Sequence, residues 1–170
     1  MKQLILIACL LMAVATAPAT ADDPFAGFIV GLRDVCAEQP ARNCTQRVSK
    51  FLDSDSTNGV SLQEFEAVRT QAKSAVAARD SGLSNAERSI LSISLLAFQQ
   101  VKLADVFAKF DSDKNGGLSE GELFADFKLD QRPMAKIISD PASVDWNSLA
   151  ARFGEVGFLL LDLLPPGHRK

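Results

Sequence analysis

The chain has 170 residues, with 18 Lys and Arg against 21 Asp and Glu, a formal charge of −3, and 47% hydrophobic residues. A mildly acidic balance, with no basic cluster and no interleaving of aromatic and basic residues, argues against nucleic acid as a partner. The hydrophobic content excludes a disordered chain, and the length suits one compact domain with a sizeable core.

Lys2, an almost unbroken apolar run over residues 4–14, and then Ala19-Thr20-Ala21 compose a secretory signal with a small-x-small cleavage site. Cleavage is expected before Asp22, because a cut after Ala17 would place Pro18 across the scissile bond. An uncleaved anchor is the alternative, but the run falls short of the roughly 20 residues that a membrane span takes. Residues 22–170 are then expected as a single helical domain with no membrane span, in a periplasmic or secreted location. Two cysteines follow the signal, Cys36 and Cys44. On one unbroken helix they would sit about 12 Å apart, beyond the roughly 7 Å between Cα atoms that a disulfide tolerates. Pro40 breaks such a helix, and a turn there brings them within reach. Pairing is expected in an exported chain and is worth about 2–3 kcal/mol. Two buried free thiols are the alternative. Metal binding by them is disfavoured, since no third or fourth soft ligand is nearby.

Helices are expected over residues 24–35 and 43–52, the latter with Cys44, Val48 and Phe51 on one face. A long helix over 61–80, rich in good helix formers, ends at Ser81-Gly82. Ser84 with Glu87 is a capping box that opens the next helix. That helix carries Ile90, Leu91, Ile93, Leu95, Leu96, Phe98 and Val101 around its circumference, so it is expected as the buried centre. Leu103, Val106, Phe107 and Phe110 form a further stripe. Helices over 119–127, 144–153 and 156–164 complete an all-α reading. No alternating strand of any length is present.

Two segments repeat a cadence: FLDSDSTNGVSLQEF over 51–65 and FDSDKNGGLSEGEL over 110–123. A hard dication such as Ca²⁺ takes six to eight oxygen ligands. Oxygen-bearing side chains at alternate positions can wrap it if a carboxylate closes the far side. In the second segment Asp111, Asp113 and Asn115 alternate, Gly116 permits a left-handed turn, Ser119 reaches through a water, and Glu122 chelates at the twelfth position. Ser61 with Glu64 and Ser119 with Glu122 are also capping boxes. That reading explains the end of each loop but not the alternating oxygens upstream.

This twelve-residue pattern between two helices resembles the EF-hand loop, position for position, and the chain looks like exported bacterial EF-hand calcium-binding proteins. The resemblance implies that Gly117 ligates through its carbonyl and that the first loop uses Asp53, Asp55, Thr57, the Gly59 carbonyl, Ser61 and Glu64. The first loop departs from the family at Thr57, which offers a weaker oxygen, and at Asn58, where glycine is usual. Two Ca²⁺ ions are implied, the second loop tighter, with Mg²⁺ as a competitor. The hands are expected at about 44–72 and 103–127, joined by a short strand bridge of Val60 with Leu118. The loops begin farther apart than is common in the family. Either the pair embraces the helix after Ser84, or Val144-Asp145-Trp146 is the remnant of a metal-free third hand that pairs with the second loop.

No nucleophile–base constellation, phosphate loop or G-x-S-x-G is present, and the single histidine is His168, so no enzymatic activity is expected. A structural or buffering protein, with ion binding coupled to fold stability, is favoured over a sensor with an unidentified protein partner. Sensor grooves are often Met-rich, and Met134 is the one methionine after the signal. Dockerins usually close the loop with Asp, against Glu64 and Glu122 here. The apolar stretch VGFLLLDLL, over 156–164, is too short to span a bilayer. Phe158, Leu159, Leu161 and Leu164 are expected to fill the surface between the two hands.

Overall fold

The structure, a computed structural model, describes residues 23–57 and 59–162. The expected signal segment, Asn58 and Leu164 lie outside them. Helix α1 (Pro24–Glu38) begins where Asp23 accepts the Ala26 amide at 2.9 Å, with Pro24 in the first turn. Helix α2 (Ala41–Leu52) follows the break at Pro40. The turn brings Cys36 and Cys44 to a Cα separation of 4.8 Å, and they form a disulfide buried in the core.

Strand β1 (Val60–Ser61) leads into α3 (Leu62–Ala77), which Ser61 and Glu64 cap reciprocally. The sequence suggests that α3 continues to residue 80, but it stops at Ala77. The Arg88 guanidinium reaches its end, donating to the carbonyls of Ala75 and Val76 in the last turn and of Ala78 and Arg79 just beyond it. Those oxygens have no partner within a helix that ends there, so the guanidinium satisfies them. Helix α4 (Asn85–Gln99) starts at the expected Ser84–Glu87 capping box.

Helix α4 is not the buried centre. Its buried residues are Glu87, Leu91 and Ser94, while Ile93 and Leu96 are 49% and 60% exposed. It lies against α3, and Leu91 joins a cluster with Phe25, Ala26, Ile29, Ala72 and Ala75 from α1 and α3. An apolar circumference does not specify which side is covered. Helix α1 is the more central element, since Leu32 and Cys36 belong to a second, larger cluster. That cluster gathers Val106, Phe107 and Phe110 of α5 (Leu103–Phe110), Met134, Ile137 and Ile138 of α7 (Met134–Ser139), and Leu149 of α8 (Trp146–Phe153). The expected apolar stripe of α5 is thus buried.

Strand β2 (Gly117–Leu118) pairs antiparallel with β1, Val60 opposite Leu118 and Ser61 opposite Gly117. The described chain is therefore mostly helical with one small antiparallel sheet. The pairing removes the alternative in which Val144 partners the second loop. Val144 bridges Phe127 instead. That bridge also shortens the helix expected over 119–127. Helix α6 (Glu120–Leu123) makes one turn, Phe124 leaves helical geometry, and residues 126–128 turn to 143–145, with the Asp145 amide donating to the Asp126 carbonyl at 2.8 Å.

Helix α9 (Glu155–Leu161) folds back on α8, with Gly157 so close to Ala150 that a methyl would collide with its backbone. It does not fill the surface between the loops. Phe158 and Leu159 are 49% and 66% exposed.

Candidate metal centres

Each loop starts as its incoming helix ends. Asp53 closes α2 and Asp111 closes α5. The Asp111 carboxylate then accepts the amides of Asn115 and Gly116 at 3.1 and 3.0 Å, and Asp113 accepts the Asn115 amide and side-chain NH₂. In the first loop Asp53 and Asp55 both accept the Thr57 amide, and the Thr57 hydroxyl donates to Asp55 at 2.6 Å. These bonds curl the backbone around its own carboxylates. Gly116 is left-handed at φ 86°, as its position suggests, and so is the residue two before it, Lys114, at φ 58°. Ser56 repeats this in the first loop at φ 57°.

The result is two matched acid triads. Asp53, Asp55 and Glu64 offer carboxylate oxygens that lie within 4.8 Å of one another, and so do Asp111, Asp113 and Glu122. Either group can hold a metal ion. Like charges this close repel by roughly 1 kcal/mol per pair in bulk water and about four times that near a protein surface. Thr57 and Asn115 lie within the same turns, bonded to the acids beside them. Ser61 and Ser119 cap the outgoing helices and donate their hydroxyls to Glu64 and Glu122 at 2.9 and 2.8 Å. The capping boxes and the converging acids are thus features of one structure. Gly59 and Gly117 sit back to back where the loops meet. A Cβ on Gly59 would stand 3.1 Å from the Gly117 carbonyl carbon.

Glu64 and Glu122 show how each loop closes on itself. One oxygen of Glu122 accepts the Ser112 amide at 2.8 Å and its hydroxyl at 2.9 Å, while the other accepts the Ser119 amide and hydroxyl. Glu64 is held in the same way by Ser54 and Ser61. Burial alone would raise both carboxyls. The opposing hydrogen bonds, from Ser61, Ser54 and Asp55 for Glu64 and from Ser119 and Ser112 for Glu122, outweigh it and lower each to about 2. Ser54 and Ser112 were not among the expected site residues. The signal was present in the repeated Asp-Ser-Asp that opens both loops.

An apolar cavity of about 280 Å³ lies beside the strand pair, walled by residues of α1 to α7, with Leu118 of β2 in its lining. No family model, curated protein or solved structure matches this chain.

Proposed function

We propose that this is an exported calcium-binding protein in which two EF-hand-like loops each hold one Ca²⁺. One observation carries the reading. Two acid triads occupy the same positions of two twelve-residue loops, and the loops are joined through Val60 and Leu118. The donors are all oxygens, with no Cys or His among them, a set that suits Ca²⁺ or Mg²⁺ rather than zinc or copper. Asp111, Asp113, Asn115, the Gly117 carbonyl, Ser119 through a water and Glu122 would supply one coordination shell. Asp53, Asp55, Thr57, the Gly59 carbonyl, Ser61 and Glu64 would supply the other. Bound Ca²⁺ would supply charge that offsets the repulsion within each triad, and so couple binding to fold stability.

The second loop binds more tightly, because Asn115 is a better donor than Thr57. The Cys36–Cys44 disulfide accords with a periplasmic or secreted location. The role is binding rather than catalysis. The open cavity and the exposure of Phe158 and Leu159 favour a second reading, in which Ca²⁺ controls access to an apolar site. Calorimetric titration with Ca²⁺ and Mg²⁺ tests the first reading. Release of a hydrophobic dye on chelating Ca²⁺ supports the second, and dye binding indifferent to Ca²⁺ contradicts it.

A further inference from the structure

We infer that the cavity beside the strand pair is a binding site for a medium-chain aliphatic carboxylate, with Arg69 holding the carboxylate. The cavity measures about 280 Å³. At about 30 Å³ per group, the volume of one water in the liquid, it holds about nine methylene-sized units. A whole helix does not fit inside it. Two turns, about 11 Å long and 10 Å across, occupy roughly 850 Å³. A single flexible chain fits, and a helix could insert only a few side chains.

The polar content of the lining selects the headgroup. Among the described residues of the lining, all but Arg69 and Ser94 are apolar. The Ser94 hydroxyl is already engaged, donating to the Ile90 carbonyl at 3.0 Å within its own helix. Arg69 stands on α3 in line with Phe65, Val68 and Ala72, positions that all face the cavity. It is half-buried, and among the described residues it has no ion pair or hydrogen bond. A guanidinium set in an apolar stripe without a carboxylate partner is suited to take one from a ligand, through paired N–H donors. An apolar tail with a carboxylate head meets both features. A neutral or cationic amphiphile meets only the first. No loop acid lines the cavity, so the assignment stands apart from calcium.

The test is calorimetry on protein purified after export, in Ca²⁺ and in chelator. The ligands are decanoate, decanol and decyltrimethylammonium, each below its micelle concentration. Decanoate is expected to bind one site at least tenfold tighter than the other two. Arg69→Met should weaken decanoate about tenfold and leave decanol within twofold, while Arg69→Lys, which keeps the charge but not the paired donors, should restore only part of the affinity. Leu95→Trp, which fills the cavity from α4, should remove binding of decanoate and decanol alike, with circular dichroism confirming the fold. No decanoate binding, equal binding of all three, or indifference to Arg69→Met overturns the assignment. So does an amphipathic helical peptide that binds where decanoate does not. Decanoate binding in a protein that takes up no Ca²⁺ would sustain this inference and sink the calcium reading. Calcium uptake without decanoate binding would do the reverse.

Discussion

Gly59→Ala tests whether the two loops are built as one unit. Gly59 has φ 146°, a backbone conformation that L-residues rarely adopt. Such conformations cost a non-glycine residue roughly 1–3 kcal/mol. A Cβ would also lie 3.1 Å from the Gly117 carbonyl carbon and 3.3 Å from the backbone of Leu118. Backbone cannot rotate aside as a side chain can, so relieving that contact adds about 1–3 kcal/mol. The stiffer unfolded chain returns about 0.5 kcal/mol, leaving a loss of about 1.5–5.5 kcal/mol. At about 2–4 °C per kcal/mol for a chain of this size, the melting temperature should fall by about 3–22 °C. Two controls separate crowding from the general effect of replacing glycine. Gly117→Ala meets Gly59 only at 3.5 Å and should cost less than about 1 kcal/mol. Gly27→Ala, inside α1 with open space around it, should stabilise by about 0.5–1 kcal/mol. Thermal and urea unfolding read all three. If Gly59→Ala is no worse than Gly117→Ala, the back-to-back packing of the loops is wrong.

Burial raises Glu87, but hydrogen bonds from Ser84 and Arg33, with the Arg33 charge, outweigh it and hold the carboxyl below its ordinary value of 4.5. The stability it contributes is therefore complete above about pH 4.5 and is lost as pH falls through the lowered value, so Glu87→Gln should cost about 1–3 kcal/mol at pH 7. In urea unfolding across pH that deficit should shrink below pH 4.5, and a constant deficit would refute the ion pair. Arg88→Ala should cost about 2–3 kcal/mol by uncapping α3, with Arg88→Lys only a partial rescue, again by urea unfolding. Replacing both Cys36 and Cys44 by alanine should cost about 2–3 kcal/mol, and intact mass should show no reactive thiol in the native protein before reduction.

Much of the fold was legible where the signal is local. The Ser61, Ser84 and Ser119 capping boxes need only a three-residue spacing, and all three form. The disulfide was readable because Pro40 must break the helix between its cysteines. The Val60–Leu118 pairing followed from a resemblance rather than from any strand pattern, since two-residue strands leave none. What failed depends on partners distant in sequence. Nothing near Leu123 announces that Phe127 will pair with Val144 and end the helix. Arg33 and Glu87 are 54 residues apart, and the apolar circumference of α4 does not show which side α1 and α3 cover. At the candidate sites the acids were readable from spacing. Ser54 and Ser112 were missed because a serine between two aspartates reads as filler until the glutamate is seen folding back onto it.

The most direct measurement of the central claim is a calorimetric titration of the oxidised, exported protein with Ca²⁺, beside Glu122→Gln and Glu64→Gln. Two binding events of unequal affinity are expected. Glu122→Gln should remove the tighter and Glu64→Gln the weaker, because each twelfth-position carboxylate would supply two of its ion's ligand oxygens. No uptake of Ca²⁺, or a Glu122→Gln protein that titrates like the unaltered one, would contradict the assignment.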